Sequence, residues 1–235
     1  MENQEFLKVV SDSFKAFLEV GTSRSNAKLK PLHGAIASDI AMRLGASYRV
    51  VSQGYGLDKE AKIQGRYIDK MVDITIQNNR GKALAGIAVK FVMQNYSQNS
   101  NNYFENMLGE TANIRSNKVP YFQIFIILDK LPYYNRDKKI TKWETFTEHN
   151  VSKYVTLSND NIDVFFHTPN KTLIYVIHIL DNERLTTSDE YRAYYKSLNP
   201  DITVSAQCNE QFGDSVILND YEKFIAKVYY TVLAL

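Results

Sequence analysis

Two side chains of opposite charge fall on neighbouring predicted strands, and both lie on the face away from the core. In the stretch MVDITI the apolar residues alternate, which places Asp73 on the opposite face. The stretch GIAVKF places Lys90 on the opposite face in the same way, and a turn near residues 80–81 sets Asp73 opposite positions 88–90. A carboxylate can hold a hard metal ion, and a lysine among apolar residues acquires a shifted pKa. The pair therefore indicates either a reactive site or a cross-strand ion pair worth ~0.2–1 kcal/mol.

A patch rich in side-chain amides follows the strand that carries Lys90. Six of the nine residues 94–102 are Asn or Gln. An amide presents a hydrogen-bond donor and an acceptor together, which is the pattern that reads the edge of adenine. We therefore predict DNA contacts from Asn99, Asn101 and Asn102, with a solvated loop as the alternative.

Basic residues are concentrated in the first third of the chain. Residues 21–90 hold twelve Lys or Arg against five Asp or Glu, a net charge of +7, whereas residues 91–235 sum to −3. Arginine, lysine and polar side chains dominate contacts to a nucleic-acid backbone. The connector TSRSNAKLK is therefore predicted to contact phosphates through Arg24, Asn26, Lys28 and Lys30, with a solvated basic surface as the alternative.

The composition is that of one globular domain with an ordinary core. The chain has 235 residues, of which 44% are hydrophobic and 23% charged. Its one cysteine excludes an intrachain disulfide and a four-thiolate metal site. No uninterrupted apolar stretch is long enough to cross a membrane, and the first residues lack the pattern of a secretory signal. We therefore expect a cytoplasmic protein.

Hydrophobic periodicity predicts a single α/β domain with a central mixed β-sheet flanked by helices. Helical spacing predicts a helical N-terminal part over residues 1–45, with Gly21 and Gly45 ending its two helices. Residues 47–130 are predicted to hold the hairpin, a helix capped by Ser100 or Asn101, and a central strand. The part from 131 to 235 is predicted to begin with a loop, followed by helices and one strand, with Asn219 capping the last helix. The predicted helices span residues 2–20, 32–44, 100–116, 141–155 and 219–235, and the predicted strands span 47–53, 66–76, 83–92, 121–129 and 172–180.

The hairpin and the segment after it resemble a family of nucleases. The succession MVDITI, GIAVKF and NNYFENMLGE is similar to the PD-(D/E)xK superfamily, and to type II restriction endonucleases in particular. The similarity covers roughly residues 60–130. It implies a restriction-endonuclease-like fold in which Asp73 and the backbone of Val89 hold Mg²⁺ and Lys90 activates the attacking water.

One position departs from the family's pattern. The usual acidic residue two places before the lysine is replaced by Ala88. Some relatives supply this carboxylate from the helix after the lysine strand, so the resemblance implies Glu105 as a metal ligand and catalytic residue. Glu110 is the second choice, and Asp39 on an N-terminal helix is the third.

The resemblance implies a Mg²⁺-dependent restriction endonuclease that cleaves double-stranded DNA at a short, palindromic site. Two-fold sites are most simply read by two-fold dimers, so a homodimer is expected. A cognate DNA methyltransferase is expected in the same system, though not as a stable partner. A repair or mobile-element nuclease of the same superfamily is the nearest alternative. Ala88 leaves open a second alternative, a non-catalytic DNA-binding or assembly protein on a decayed nuclease fold.

Overall fold

The fold is mixed α/β around one seven-stranded sheet, as predicted. A computed structural model describes residues 1–20, 28–207 and 212–235. The strands of the main sheet follow the order β1-β4-β5-β6-β9-β10, and β11 pairs with β9 beside β10. The pairs β5–β6 and β6–β9 are parallel, whereas β1–β4 and β4–β5 are antiparallel. The main-sheet strands are β1 (Tyr48–Ser52), β4 (Ile74–Asn78), β5 (Ala83–Val92), β6 (Tyr121–Leu128), β9 (Lys171–His178), β10 (Thr203–Val204) and β11 (Val216–Leu218).

Two small hairpins and six described helices surround this sheet. The hairpins are β2 (Ala61–Gln64) with β3 (Asp69–Val72), and β7 (Lys130–Tyr134) with β8 (Ile140–Thr145). The helices are α1 (Asn3–Val20), α2 (Lys30–Leu44), α3 (Tyr96–Arg115), α4 (Glu148–Ser158), α5 (Ser188–Leu198) and α6 (Tyr221–Leu233).

The hydrophobic core lies on both sides of the central strand β6. All eight of its residues are buried, because β6 pairs on both edges and is covered on both faces. The apolar faces of α1 and α6 meet the sheet through aromatic rings, with Phe6 stacked on Tyr221 and edge-on to Tyr175. None of the helices in the described parts of the chain is both long and apolar enough to cross a membrane.

The segment from 130 to 155 differs from the prediction. Residues 130–139, predicted as a loop, and the first part of the predicted helix 141–155 form the hairpin β7–β8 instead. The helix begins only at Glu148, after a capping box in which Thr147 and Asn150 bind each other's backbone. The prediction was wrong because the helical spacing of apolar residues there overlaps with the alternation of a short strand.

Helix α3 starts earlier than predicted. Its N-cap is Asn95 rather than Ser100 or Asn101, so most of the amide patch lies inside the helix. The buried carboxylate of Glu144, on β8, accepts hydrogen bonds from the backbone and hydroxyl of Ser97 in the first turn. This cap comes from a distant strand, which local sequence does not reveal.

The last helix is capped one residue later than predicted. Asp220, not Asn219, accepts a hydrogen bond from the backbone of Lys223. Asn219 instead has a positive φ of 52° and accepts a hydrogen bond from the backbone of Val176 on β9. The helix α5 and the short strands β2, β10 and β11 were not predicted at all.

Candidate active site

Asp73 is the single residue between strand β3, which belongs to a small hairpin, and strand β4, which belongs to the main sheet. The strand predicted over 66–76 is divided at this residue, with β3 in a small hairpin before it and β4 in the main sheet after it. The register pairs Ile74 with Ile87, so Asp73 stands across from Ala88, as predicted. The carboxylate of Asp73 accepts a 2.7 Å hydrogen bond from the backbone N–H of Val89. This bond fixes Asp73 beside the strand that carries Lys90.

A cavity of about 300 Å³ opens beside Asp73, between strands β3, β5 and β6 and helix α3. Asp73, Ala88, Val89 and Lys90 line one side of it. The other lining side chains come from β3, α3, β6 and α4, and they are Lys70, Met71, Tyr103, Asn106, Met107, Glu110, Gln123, Ile124, Phe125 and Tyr154. Acidic, basic and amide groups therefore share one concave site, as a candidate active site requires.

The Asp73 carboxylate is largely desolvated and lies near a second carboxylate, that of Glu110. Burial raises the pKa of Asp73 from 3.8 to about 6. The hydrogen bond from Val89 lowers this pKa, the negative charge of Glu110 raises it, and Lys90 and Lys70 lower it. Burial and the charge of Asp73 also raise the pKa of Glu60, in the loop before β2. Two carboxylates from other parts of the chain, Glu110 and Glu60, therefore interact electrostatically with Asp73.

Glu110 is the carboxylate that α3 brings to the cavity. It forms a 2.7 Å ion pair with Lys70 and accepts a hydrogen bond from the hydroxyl of Tyr121. Tyr121 is fully buried at the start of β6, and burial together with Glu110 raises its pKa well above the usual value. The two partners hold the Glu110 side chain in place on the floor of the cavity.

Lys90 projects into the cavity over an aromatic ring. Its ammonium lies 4.3 Å from the centre of the Tyr103 ring, a cation–π contact. Desolvation lowers the pKa of Lys90, and the charge of Asp73 opposes this change. Lys90 is solvent-exposed, and a lysine with a lowered pKa can exchange a proton more readily than one with the usual pKa.

The structure does not bring Glu105 or Asp39 to this cavity. Glu105 is exposed and lines a neighbouring cavity instead. Asp39 is buried on α2, where its carboxylate binds the N-terminal amine, Arg43 and the hydroxyl of Tyr221. The placement of Glu105 and Asp39 beside Asp73 was wrong, and the second choice, Glu110, occupies that place.

The predicted phosphate contacts divide into three cases. Arg24 and Asn26 lie outside the described residues. Lys28 is buried with its ammonium 5.2 Å from the centre of the Phe17 ring, and burial together with the charge of Lys90 lowers its pKa to about 8. Lys30 is half-exposed and forms an ion pair with Asp58. Lys28 is therefore not presented on the surface as an arm for a DNA backbone, which corrects that prediction.

The predicted base contacts lie on the first half of α3. Asn101 and Asn102 are exposed, and Asn99 is half-buried. Asn102 shares a helix face with Asn106 and Glu110 because these positions are four residues apart. Base reading by these asparagines stays a prediction.

Sequence reasoning missed Gln123, Lys70 and Tyr103. Gln123 is paired with Ala88 across the parallel strands β5 and β6, and it is buried. The signal for Gln123 was visible, because it is the one amide in the apolar run YFQIFIIL. Nothing in the local sequence marks Lys70 and Tyr103, which the tertiary fold brings to the cavity.

Because the charge of Asp73 is largely buried, we expect that replacing Asp73 by an uncharged residue makes the fold more stable. Because the folded pKa is raised, the contribution of Asp73 to stability is complete below about pH 4 and is lost as the pH rises through about 6. In metal-free buffer at pH 7.5, Asp73→Asn is expected to raise the free energy of unfolding by ~1–3 kcal/mol, since asparagine keeps the acceptor for Val89 without the charge.

Urea unfolding of both proteins between pH 4 and pH 7.5 measures this difference, which should vanish at the acidic end. Asp69→Asn is the control, because Asp69 is exposed on the neighbouring strand. Equal stabilities of Asp73→Asn and the wild type at pH 7.5 would show that Asp73 is not held at an electrostatic cost.

Comparison with family models, curated proteins and solved structures finds no match to this chain. The resemblance to nucleases therefore rests on the sequence motif and stays a prediction.

Proposed function

We propose that this protein is a Mg²⁺-dependent endonuclease that hydrolyses phosphodiester bonds in double-stranded DNA at a specific short site. The observation that carries the proposal is the shared cavity of Asp73, Lys90 and Glu110 at the end of the hairpin. Phosphodiester cleavage needs an activated water and neutralisation of a highly charged transition state. A pair of carboxylates beside a partly desolvated lysine supplies groups for both tasks.

The donor set suits Mg²⁺. The ion is commonly held by one or two carboxylates and several waters, and Asp73 with Glu110 provides two. In the described parts of the chain, no three His, Cys, Asp or Glu side chains gather as a metal-binding group, so waters and the backbone of Val89 would complete the shell. The repulsion that Glu110 exerts on Asp73 is relieved by a bound cation. When bound, Mg²⁺ lowers the pKa of a coordinated water and neutralises charge on the phosphate.

Lys90 has a separate role in the proposal. Its ammonium is oriented over Tyr103 and faces the cavity, where it can hold the attacking water and stabilise charge that develops on the phosphate. The buried amide of Gln123, beside Ala88, can orient a second water by hydrogen bonding.

A second candidate function is DNA binding without cleavage. Two observations favour it: the carboxylate of Glu110 is already bound by Lys70 and Tyr121, and position 88 carries no acid. On this alternative, Lys70 occupies the place of the cation permanently.

The proposed enzyme acts in the cytoplasm as a homodimer on a palindromic site, with a methyltransferase protecting the host DNA.

Incubation of phage DNA with the protein, with Mg²⁺ or with EDTA, separates the candidates. The expected result is a discrete set of fragments that forms only with Mg²⁺. A Mg²⁺-dependent smear would indicate a nuclease without site specificity. Bound but intact DNA at every Mg²⁺ concentration would contradict the enzyme and support the binding protein.

A further inference from the structure

The hairpin β2–β3 exposes a row of large apolar side chains next to the candidate active site. Tyr67 and Ile68 at its tip are 77% and 66% exposed, and Met71 on β3 is 47% exposed. The hairpin already has a buried apolar face, on which Ile63 and Val72 pack in a small core. The exposed row therefore serves no packing purpose within the described fold, and exposed apolar patches commonly mark interaction sites.

This row is continuous with the candidate active site. Met71 lines the cavity of Asp73 and Lys90. Ile68 lines a second cavity of about 460 Å³, and the two cavities share Lys70, Asn106 and Glu110. A ligand that reaches from Asp73 along α3 therefore passes along the hairpin towards its tip.

The tip is held in a fixed conformation by α3. The side-chain oxygen of Asn113 accepts hydrogen bonds from the backbone N–H groups of Tyr67 (2.9 Å) and Ile68 (3.3 Å), and its amide donates to the carbonyl of Ile68. Gly65 permits this approach, because a Cβ there would come within 2.1 Å of the Asn113 amide nitrogen. An exposed aromatic ring presented by a rigid backbone loses little entropy on binding.

The charges around the row favour a polyanion. Residues 61–72 carry three basic side chains and one acidic one. Lys62, Arg66 and Asp69 are exposed, and Lys70 is paired with Glu110, which leaves the exposed charges of the hairpin net positive. The guanidinium of Arg66 lies 5.7 Å from the centre of the Tyr67 ring. A second copy of this chain seated on the row by a two-fold axis would bring these cations towards their own copies, which is unfavourable. A nucleic acid offers both phosphates for the cations and flat apolar bases for the ring.

We infer that the tip of the β2–β3 hairpin is a nucleic-acid contact, in which Tyr67 and Ile68 pack against bases and Arg66 binds a phosphate of the strand that leaves the active site. This inference rests on the proposed function for the identity of the ligand. It assigns apolar, sequence-tolerant contacts to the hairpin, separate from the base reading predicted for the asparagines of α3.

The test measures binding alone, in the cleavage-deficient Asp73→Asn background and without metal. Fluorescence anisotropy with a labelled random-sequence duplex that carries a single-stranded tail gives the dissociation constant at several salt concentrations, since only unpaired bases offer a free face to the ring. Tyr67→Ala is expected to weaken binding by about 5- to 100-fold with an unchanged salt dependence, because a stacking contact releases no counterions. Arg66→Ala is expected to lower the salt slope by about one. Tyr67→Phe keeps the ring and is expected to bind like the parent.

Two further variants protect the test from misinterpretation. Tyr230→Ala is the matched control, since Tyr230 is 65% exposed on α6, and it is expected to leave binding unchanged. Asn113→Ala keeps the Tyr67 ring but removes the hydrogen bonds that hold the backbone of Tyr67 and Ile68. It is therefore expected to weaken DNA binding less than Tyr67→Ala does. Thermal unfolding of each variant checks that the fold is retained.

The outcomes separate this inference from the proposed function. Unchanged binding by Tyr67→Ala, while the parent binds DNA and the wild type cleaves it, overturns the inference alone. A Tyr67 effect on binding without any cleavage by the wild type supports the inference and contradicts the nuclease. If Tyr67→Ala instead converts a dimer to a monomer in sedimentation, with DNA binding unchanged for each chain, the row is a contact between copies and the inference is wrong.

Discussion

Lys90→Ala is expected to reduce the rate of DNA cleavage by about 10²–10⁴-fold while the affinity for DNA changes little. The reason is that an ammonium which orients water and stabilises developing charge acts in the transition state, and such groups typically contribute this much. Lys90 is solvent-exposed, and its ammonium lies over Tyr103 in the lining of the cavity, so the expected loss is in the chemical step at that cavity. Single-turnover cleavage with excess enzyme measures the rate, and anisotropy without metal measures the affinity.

Lys82→Ala provides the control for this prediction. Lys82 precedes the same strand and is exposed, so its removal changes the net charge equally without touching the cavity. A cleavage rate for Lys90→Ala near that of Lys82→Ala would show that Lys90 is a structural cation in a cross-strand pair. A parallel loss of affinity and rate would place Lys90 in ground-state DNA binding instead.

The fold was predictable from sequence wherever local pattern and tertiary environment agree. The run at 121–128, apolar except for Gln123, became the buried β6, and the amphipathic run at 219–235 became α6. The prediction failed where distant residues decide the structure. Glu144 caps α3 from β8, and the pairing of β8 with β7 overrides the helical spacing of residues 141–145. Neither contact can be inferred from the segments alone.

The candidate site was predictable in its hairpin but not in its helix. Two-residue alternation and a tight turn place Asp73 beside the strand of Lys90 with little freedom. The rotation of α3 is set by its packing, however, and residues 105 and 110 are five positions apart, about 140° around a helix. The sequence favoured Glu105 over Glu110, and only the fold shows that Glu110 lines the cavity whereas Glu105 is exposed.

This difference gives a sharp prediction for the two glutamates. Glu110→Gln is expected to reduce Mg²⁺-dependent cleavage by about 10²–10⁴-fold, since a charged ligand worth several kcal/mol of transition-state stabilisation is lost. Glu105→Gln changes the net charge of the same helix equally and is expected to change the rate by less than about threefold, because it lies outside the cavity. Cleavage rates across a range of Mg²⁺ concentrations measure both variants.

Glu110 also has structural partners, so a loss of activity alone does not identify a metal ligand. Its removal leaves Lys70 without its ion pair and the buried Tyr121 hydroxyl without its carboxylate acceptor. Ala88 offers the means to separate the two roles, because it lines the same cavity next to Asp73 and Gln123. Ala88→Glu combined with Glu110→Gln is expected to recover part of the lost rate, since it returns a carboxylate to the cavity without restoring the contacts of Glu110.

Ala88→Gln combined with Glu110→Gln is the matched control, having the same size at position 88 but no charge. Recovery with glutamate and not with glutamine would assign the missing negative charge to metal binding. If Glu105→Gln is the inactive variant and Glu110→Gln cleaves normally, the cavity is not the metal site and the helix acts at its exposed face. If neither the wild type nor any variant cleaves the DNA that it binds, Lys70 permanently neutralises the site, and the protein is a DNA-binding protein.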